Sequence, residues 1–247
     1  MKVLLFMTGF RQVKEYDYFS RFLQRFETLR RICDIFIYCN NPDVSEEIVT
    51  FYRAFAQENK RLLITSVNAG FVMGAVEAVS NGLEMGIFDG YDYVIHLHPD
   101  VFMTSEAPIV RLLQDNLASD DVFLVNRSFP DDERAFSFDF FVFKPRLLTE
   151  NIFIDELPTY QDIPERFLFD MLTKKSVRYR VVPRFDNDDW SPRRIDDHLE
   201  LYHEHDLELV EKVLQVGASP PDRLAGSDAP KWRPPVVELR PPLQAKR

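Results

Sequence analysis

The residues with the clearest chemical potential lie in one short segment, Asp92 to Met103, DYVIHLHPDVFM. An apolar run of strand character passes directly into His98-Pro99-Asp100 and then into a second apolar run. Pro99 fixes its own φ and lacks an N–H, so it stiffens the turn. Asp100 is thereby set at the carboxyl end of a strand. A carboxylate in that position can bind a divalent cation, and Mg²⁺ or Mn²⁺ then neutralises a diphosphate. His98 can ligate metal as a neutral imidazole or hydrogen-bond a ribose or sugar hydroxyl. The plainer alternative for Asp100 is a turn cap. His96, inside the strand, reads as a satisfied core histidine.

Two further groups carry titratable side chains. Asp139 stands within the aromatic run Ser137 to Phe143, SFDFFVF, where a carboxylate beside Phe rings can act as a base, or can face solvent from a strand. His203 and His205, in Leu201-Tyr202-His203-Glu204-His205-Asp206, alternate, so a strand would put both on one face. The same residues also suit a polar helix start capped by Asp206.

The elements that must position these groups can be read from periodicity. Lys2 to Met7, Asp34 to Tyr38, Leu62 to Val67, Tyr93 to Leu97 and Val122 to Asn126 are short apolar runs of buried-strand type. Between them, Tyr16 to Ile32 has apolar residues at helical spacing (Phe19, Phe22, Leu23, Phe26, Leu29). Ser45 with Glu46 and Glu47, Val72 to Met85 and Pro108 to Leu117 read as further helices or helix starts. Ser137 to Phe143 and Tyr179 to Pro183 read as strands, and Pro164 to Lys174 and Leu207 to Val216 as helices. Pro164 and Glu165 are ordinary chemistry for a helix start. The polar stretch Asp186 to Asp197 reads as a loop. Strands alternating with helices predict an α/β domain with a mostly parallel central sheet flanked by helices, and ligands then bind beyond the carboxyl ends of the strands.

Composition bounds the rest. Across 247 residues, 45% are hydrophobic and 22 are Phe against 8 Gly, which favours a large aromatic core over a Gly-rich phosphate cradle. The net charge of -10 disfavours a broad nucleic-acid interface. Cys33 and Cys39 fit no metal spacing and read as reduced, partly buried thiols. No apolar run approaches the roughly 18 residues of a membrane span. The N-terminal MKVLLFMTGF reads as a first strand without a signal-cleavage pattern. The expectation is a soluble, cytoplasmic chain with no transmembrane segment, any membrane contact being peripheral. Seven of the 16 prolines fall after Val216 and periodicity stops there, so residues 1–216 read as one domain and 217–247 as a Pro-rich extended tail.

The segment around His98-Pro99-Asp100 resembles the Asp-x-Asp region of glycosyltransferases with the GT-A fold, with His98 standing where that motif has its first Asp. Some sugar transferases related to rhamnosyltransferases similarly carry Asn-Pro-Asp. The resemblance covers about residues 1–215, and it implies a nucleotide-sugar-binding half (1–103) and an acceptor half (104–216). It implies that Thr8, Gly9 and Arg11, after the first strand, lie where the base and ribose are held, and that Asn40, after the second, lies where the base is recognised. Asn68, Gly70 and Gly74 resemble a segment that runs along the nucleotide-sugar, with His98 beside it. Asp100, His98 and a late histidine such as His203 would hold Mn²⁺ or Mg²⁺. Asp139 lies toward the acceptor side by the same resemblance, and Glu165 matches the helix-start acid that deprotonates the acceptor in inverting members. The implied activity is hexosyl transfer from a nucleoside diphosphate sugar donor to a hydroxyl of a glycan acceptor.

Two other readings remain. A nucleotidyltransferase uses a similar sheet, although its usual Gly-rich loop with a basic residue is absent from Thr8-Gly9-Phe10-Arg11-Gln12-Val13. A non-enzymatic, transferase-derived sugar-binding or scaffold domain would account for His98 in place of an acid. An NAD-dependent Rossmann enzyme is disfavoured because no G-x-G-x-x-G follows any strand.

Overall fold

A computed structural model describes residues 1–9, 26–39, 46, 50, 61–64, 74–98, 101–103, 105–126, 136–148, 160, 162, 164–182 and 201–203. The described strands are β1 (Val3–Gly9), β2 (Cys33–Cys39), β3 (Arg61–Ile64), β4 (Tyr93–Leu97), β5 (Val101–Met103), β6 (Val122–Asn126), β7 (Phe136–Phe143), β8 (Tyr179–Val182) and β9 (Leu201–His203). The described helices are α1 (Glu27–Ile32), α2 (Gly74–Glu84), α3 (Ala107–Asp115) and α4 (Pro164–Lys174). These follow the sequence expectation closely where the two overlap. The expected helix Leu207 to Val216 and the tail lie outside the described residues, as does most of Tyr16 to Ile32.

Seven strands form one sheet in the order β3-β2-β1-β4-β7-β6-β8. The pairs β1–β2, β1–β4, β2–β3 and β6–β8 are parallel. β7 runs antiparallel to both of its neighbours, β4 and β6. The expected mostly parallel sheet is therefore present, with one reversed strand near its middle. A second, two-stranded sheet pairs β5 with β9.

Period-2 alternation sorts the side chains of this sheet onto two faces, both buried. On one face Val3, Leu5, Met7, Ile37, Tyr93, Ile95, Leu97, Phe140 and Val142 pack with Leu29 of α1, Ile109 and Leu113 of α3, and Val101 and Met103 of β5. On the other, Leu4, Phe6, Phe36, Tyr38, Val94, Leu124, Phe141 and Phe143 pack with Val76 and Val79 of α2 and with Phe167, Leu168, Met171 and Leu172 of α4. Helices thus cover both faces, and the Phe-rich composition fills the second layer in particular.

Local chemistry sets the helix ends. Ile87 N–H donates to Gly82 C=O at 2.9 Å and Gly86 N–H to Leu83 C=O at 3.1 Å. Gly86 takes φ +66°. That pairing closes α2 with a left-handed glycine just past its end. Gly82 sits inside α2 because a Cβ there would come 2.4 Å from the Phe88 ring. Glu106, just before α3, accepts from the N–H groups of Thr28 at 3.1 Å and Leu29 at 2.8 Å, so one carboxylate ties the start of α1 to the start of α3.

Candidate active site

Strands β1 to β4 are parallel, so their carboxyl ends meet at one edge of the sheet. Gly9 ends β1 opposite Cys39, the last residue of β2. His98 follows β4 directly at this same edge. Because β7 runs the other way, its early residues arrive here too: His98 N–H donates to Asp139 C=O at 2.9 Å, one step beyond the Leu97–Phe140 pair. The sequence separates His98 from Asp139 by a helix and two strands, and the reversed β7 brings their backbones side by side.

The chain then turns. Val101 N–H donates to His98 C=O at 3.1 Å, a bond between residues three apart, before β5 begins. β5 pairs with β9 so that Val101 stands opposite His203. The strand reading of the late histidines holds for His203, and this register returns it to the residue that follows Asp100.

Asp139 also lies in an irregular stretch. Leu124 pairs with Phe141, but Asn126 pairs with Phe136, so β7 carries extra residues against β6 in the span that contains Asp139. Such bulges re-aim side chains and are frequent beside active sites. Asp139 is 7% exposed.

Beneath the turn lies a buried polar pair. His96 is fully buried, as its place in the strand suggested, and its Nε2 lies 2.8 Å from the Thr8 hydroxyl. Its ring packs against Phe141 at 4.6 Å, Phe138 at 5.4 Å and Phe6 at 6.1 Å, and against the His98 ring at 5.5 Å. Burial and then the neighbouring His98 push the His96 imidazole well below its ordinary range, against a smaller opposing pull from the Phe138 backbone. His96 is therefore neutral at physiological pH. Thr8 is itself fully buried, with its hydroxyl engaged in the core. The sequence did not reveal this bond, although the alternation of Phe6 with Thr8 and of His96 with His98 puts all four on one face.

Of the remaining expected site residues, Gly74 is the first residue of α2 and is buried, and Glu165 is the second residue of α4. Arg11, Asn40, Asn68, Gly70 and Asp100 lie outside the described residues. Among the described residues no three His, Cys, Asp or Glu side chains are grouped to hold a metal ion. Imidazole nitrogens with one carboxylate make a donor set compatible with a divalent cation.

A groove of about 160 Å³ lies at the opposite edge, lined by Tyr91, Asp92, Tyr93, Leu117, Lys144, Pro145 and Arg146. Lys144 there is 5% exposed and donates to Leu117 C=O at 2.5 Å. Its ammonium is already engaged, and the groove stands at the amino end of β4, away from His98. Both cysteines are free, as expected. Burial, with help from Asp34 and Glu106, pushes the Cys33 thiol up to about 12, which keeps it protonated and unreactive at neutral pH. No helix among the described residues is long and apolar enough to cross a membrane.

No protein-family model and no curated protein matches the chain. Solved structures do. The fold is similar to that of a mannosyltransferase, PcManGT, from Pyrobaculum calidifontis, solved with GDP-Man and Mn²⁺, at 10% identity and TM-score 0.52 over 74% of this chain and 55% of that one. It is similar to S. aureus TarS at 14% identity and TM-score 0.54, over 88% and 64% of the two chains. It is also similar to a 4-diphosphocytidyl-2C-methyl-D-erythritol synthase at 15% identity and TM-score 0.50, over 86% and 99%. The chain thus spans 55% of the mannosyltransferase and 64% of TarS, while it matches the synthase over nearly that protein's full length. Its strand order, its reversed β7 and these likenesses together show that the chain has an α/β fold of the GT-A type.

Proposed function

We propose that the protein is a glycosyltransferase that moves a hexosyl group from a nucleoside diphosphate sugar to a hydroxyl of a glycan acceptor. The observation that carries the reading is the backbone bond from His98 N–H to Asp139 C=O, which joins the carboxyl end of β4 to the reversed β7 at the edge where β1 and β2 also end. In open α/β sheets this edge is where ligands bind.

In this reading Asp100, His98 and His203 would hold Mn²⁺ or Mg²⁺, which when bound supplies charge stabilisation for the departing diphosphate. Gly9 and Gly74, with Arg11, Asn40, Asn68 and Gly70, form the donor side. Gly9 presents backbone without a side chain at the end of β1, and Gly74 begins a helix. Asp139 or Glu165 accepts the proton of the acceptor hydroxyl. The bond from the sugar's anomeric carbon to the diphosphate breaks, a bond from that carbon to the acceptor oxygen forms, and the diphosphate leaves with the electron pair. Asp139 is 7% exposed, and a base screened from solvent favours transfer over hydrolysis.

The test is thermal stabilisation by UDP-, GDP-, TDP- and CMP-sugars with and without Mn²⁺. The expected result is a shift for one nucleotide that requires the metal, because a ligand that binds the native state raises its stability. No shift with any donor would overturn the reading in favour of a sugar-binding or scaffold domain. The full-length match to the synthase gives specific support to a second reading, nucleotidyl transfer. Stabilisation by a free nucleoside triphosphate, together with release of pyrophosphate from that triphosphate when a phosphorylated acceptor attacks its α-phosphorus, would select it.

A further inference from the structure

The backbone ladder between β1 and β4 ends at the Met7–Leu97 pair. One residue further along β1, Thr8 reaches back to β4 by a side-chain bond, Thr8 Oγ1 to His96 Nε2 at 2.8 Å, beside the point where β4 ends. The other flank of the same point is tied by His98 N–H to Asp139 C=O. The base of the turn is therefore clamped from both neighbouring strands. The His96 ring is what lies under His98: their centroids are 5.5 Å apart at 72°, and the far side of His96 is held by Phe141 and Phe138. An imidazole hydrogen-bonded to the Thr8 hydroxyl, with the Phe138 backbone as a further partner, has little freedom in a fully buried aromatic site, and the ring standing on it inherits that constraint.

We propose that Thr8 and His96 are a positioning pair: their buried hydrogen bond sets the His96 ring, which in turn sets the orientation of His98 at the donor-binding edge. Neither residue touches substrate. The assignment gives Thr8 a role inside the fold, and it rests on the transferase reading only for its kinetic test.

Thr8→Val keeps the shape of the side chain and removes the hydroxyl, so His96 Nε2 is left unmet where water cannot reach it. Thr8→Ser keeps the hydroxyl. The first readout is independent of activity. Imidazole NMR of the full chain, which has 5 histidines, should show the His98 ring resonances shifted or broadened in Thr8→Val and restored in Thr8→Ser. Unmoved His98 signals in a folded Thr8→Val protein would overturn the proposal. If Thr8→Val does not fold, Thr8→Cys, a weaker donor of similar size, takes its place with the same expected outcomes. The second readout is kinetic: Thr8→Val should lower kcat roughly tenfold or more while KM for the donor stays within about threefold, with rescue by Thr8→Ser. A lowered melting temperature with unchanged kcat at permissive temperature would show a purely structural bond and overturn it. Absence of turnover in the wild-type chain would refute the transferase reading and leave the NMR result to decide the pair.

Discussion

At its amino end β4 meets a set of charges that answer one another. Arg180 reaches Asp121 at 2.6 Å and Arg178 reaches it at 3.5 Å, Arg146 pairs with Asp120, and the Tyr93 hydroxyl donates to Asn116 C=O at 2.6 Å. At its carboxyl end the same strand meets His98, His96, Thr8 and Asp139. Both ends bury polar atoms beside aromatic rings, and the difference lies in what satisfies them. The amino end is a clasp between β6 and β8 in which each described carboxylate has a cation. The carboxyl end is held by one hydroxyl–imidazole bond and backbone hydrogen bonds, with the His96 and His98 rings 5.5 Å apart. Polar groups closed on each other at the clasp fix structure, whereas groups assembled at a strand terminus can act on a ligand.

The comparison breaks most readily at Asp100. Asp100→Ala should abolish metal-dependent donor binding and lower kcat/KM by roughly a thousandfold. Affinity retained with Mn²⁺, measured by calorimetry, would take the metal chemistry away from this edge. Asp139→Asn and Glu165→Gln come next. One of them should lower turnover by about 10²–10⁴-fold with donor binding intact, the ordinary range for a lost general base, and the other should not. Equal and small losses in single-turnover assays would leave this edge without a base.

At the clasp the expected sign is the reverse, with stability lost and turnover kept. Asp121→Ala removes the carboxylate facing Arg180 and, among the described residues, leaves its guanidinium only the Asn116 side-chain oxygen at 3.1 Å. A fully buried pair would cost roughly 3–5 kcal/mol to break. Arg180 is 31% exposed, so the loss in a urea titration should be nearer about 2–3 kcal/mol. A matching drop in kcat at low temperature would show that the two ends are coupled. The smallest effect is expected outside both: deleting 217–247 should change the melting temperature by less than about 2 °C, and a larger fall would show that the tail packs on the domain.

Much of the frame was legible because burial on both faces writes long apolar runs. β1 and β4 are nearly unbroken in apolar character, and Gly86 and Pro164 mark helix ends by backbone chemistry alone. The direction of β7 was not legible. SFDFFVF reads as a strand in either orientation, and its neighbours are chosen by crossovers that periodicity does not encode. For the candidate site, the end of β4 just before His98 was readable from the sequence, and so was His96 as a core residue. The Thr8–His96 bond spans 88 positions and depends on strand register. The return of His203 beside Val101 depends on a three-residue ladder. Contacts of that kind follow from topology, and no local pattern announces them.

The insertion of β7 between β4 and β6 also bears on how the chain is made. Strands β1 to β4 can assemble from residues 1–97, since their mutual pairings are all internal to that span. β4 then presents an open hydrophobic edge until residues 136–143 emerge and reach it. Over that interval of synthesis the nascent sheet exposes a flat apolar strand to any other chain nearby. The side of β4 that β7 will later cover is thus the place where a slow or stalled ribosome would most readily yield aggregate.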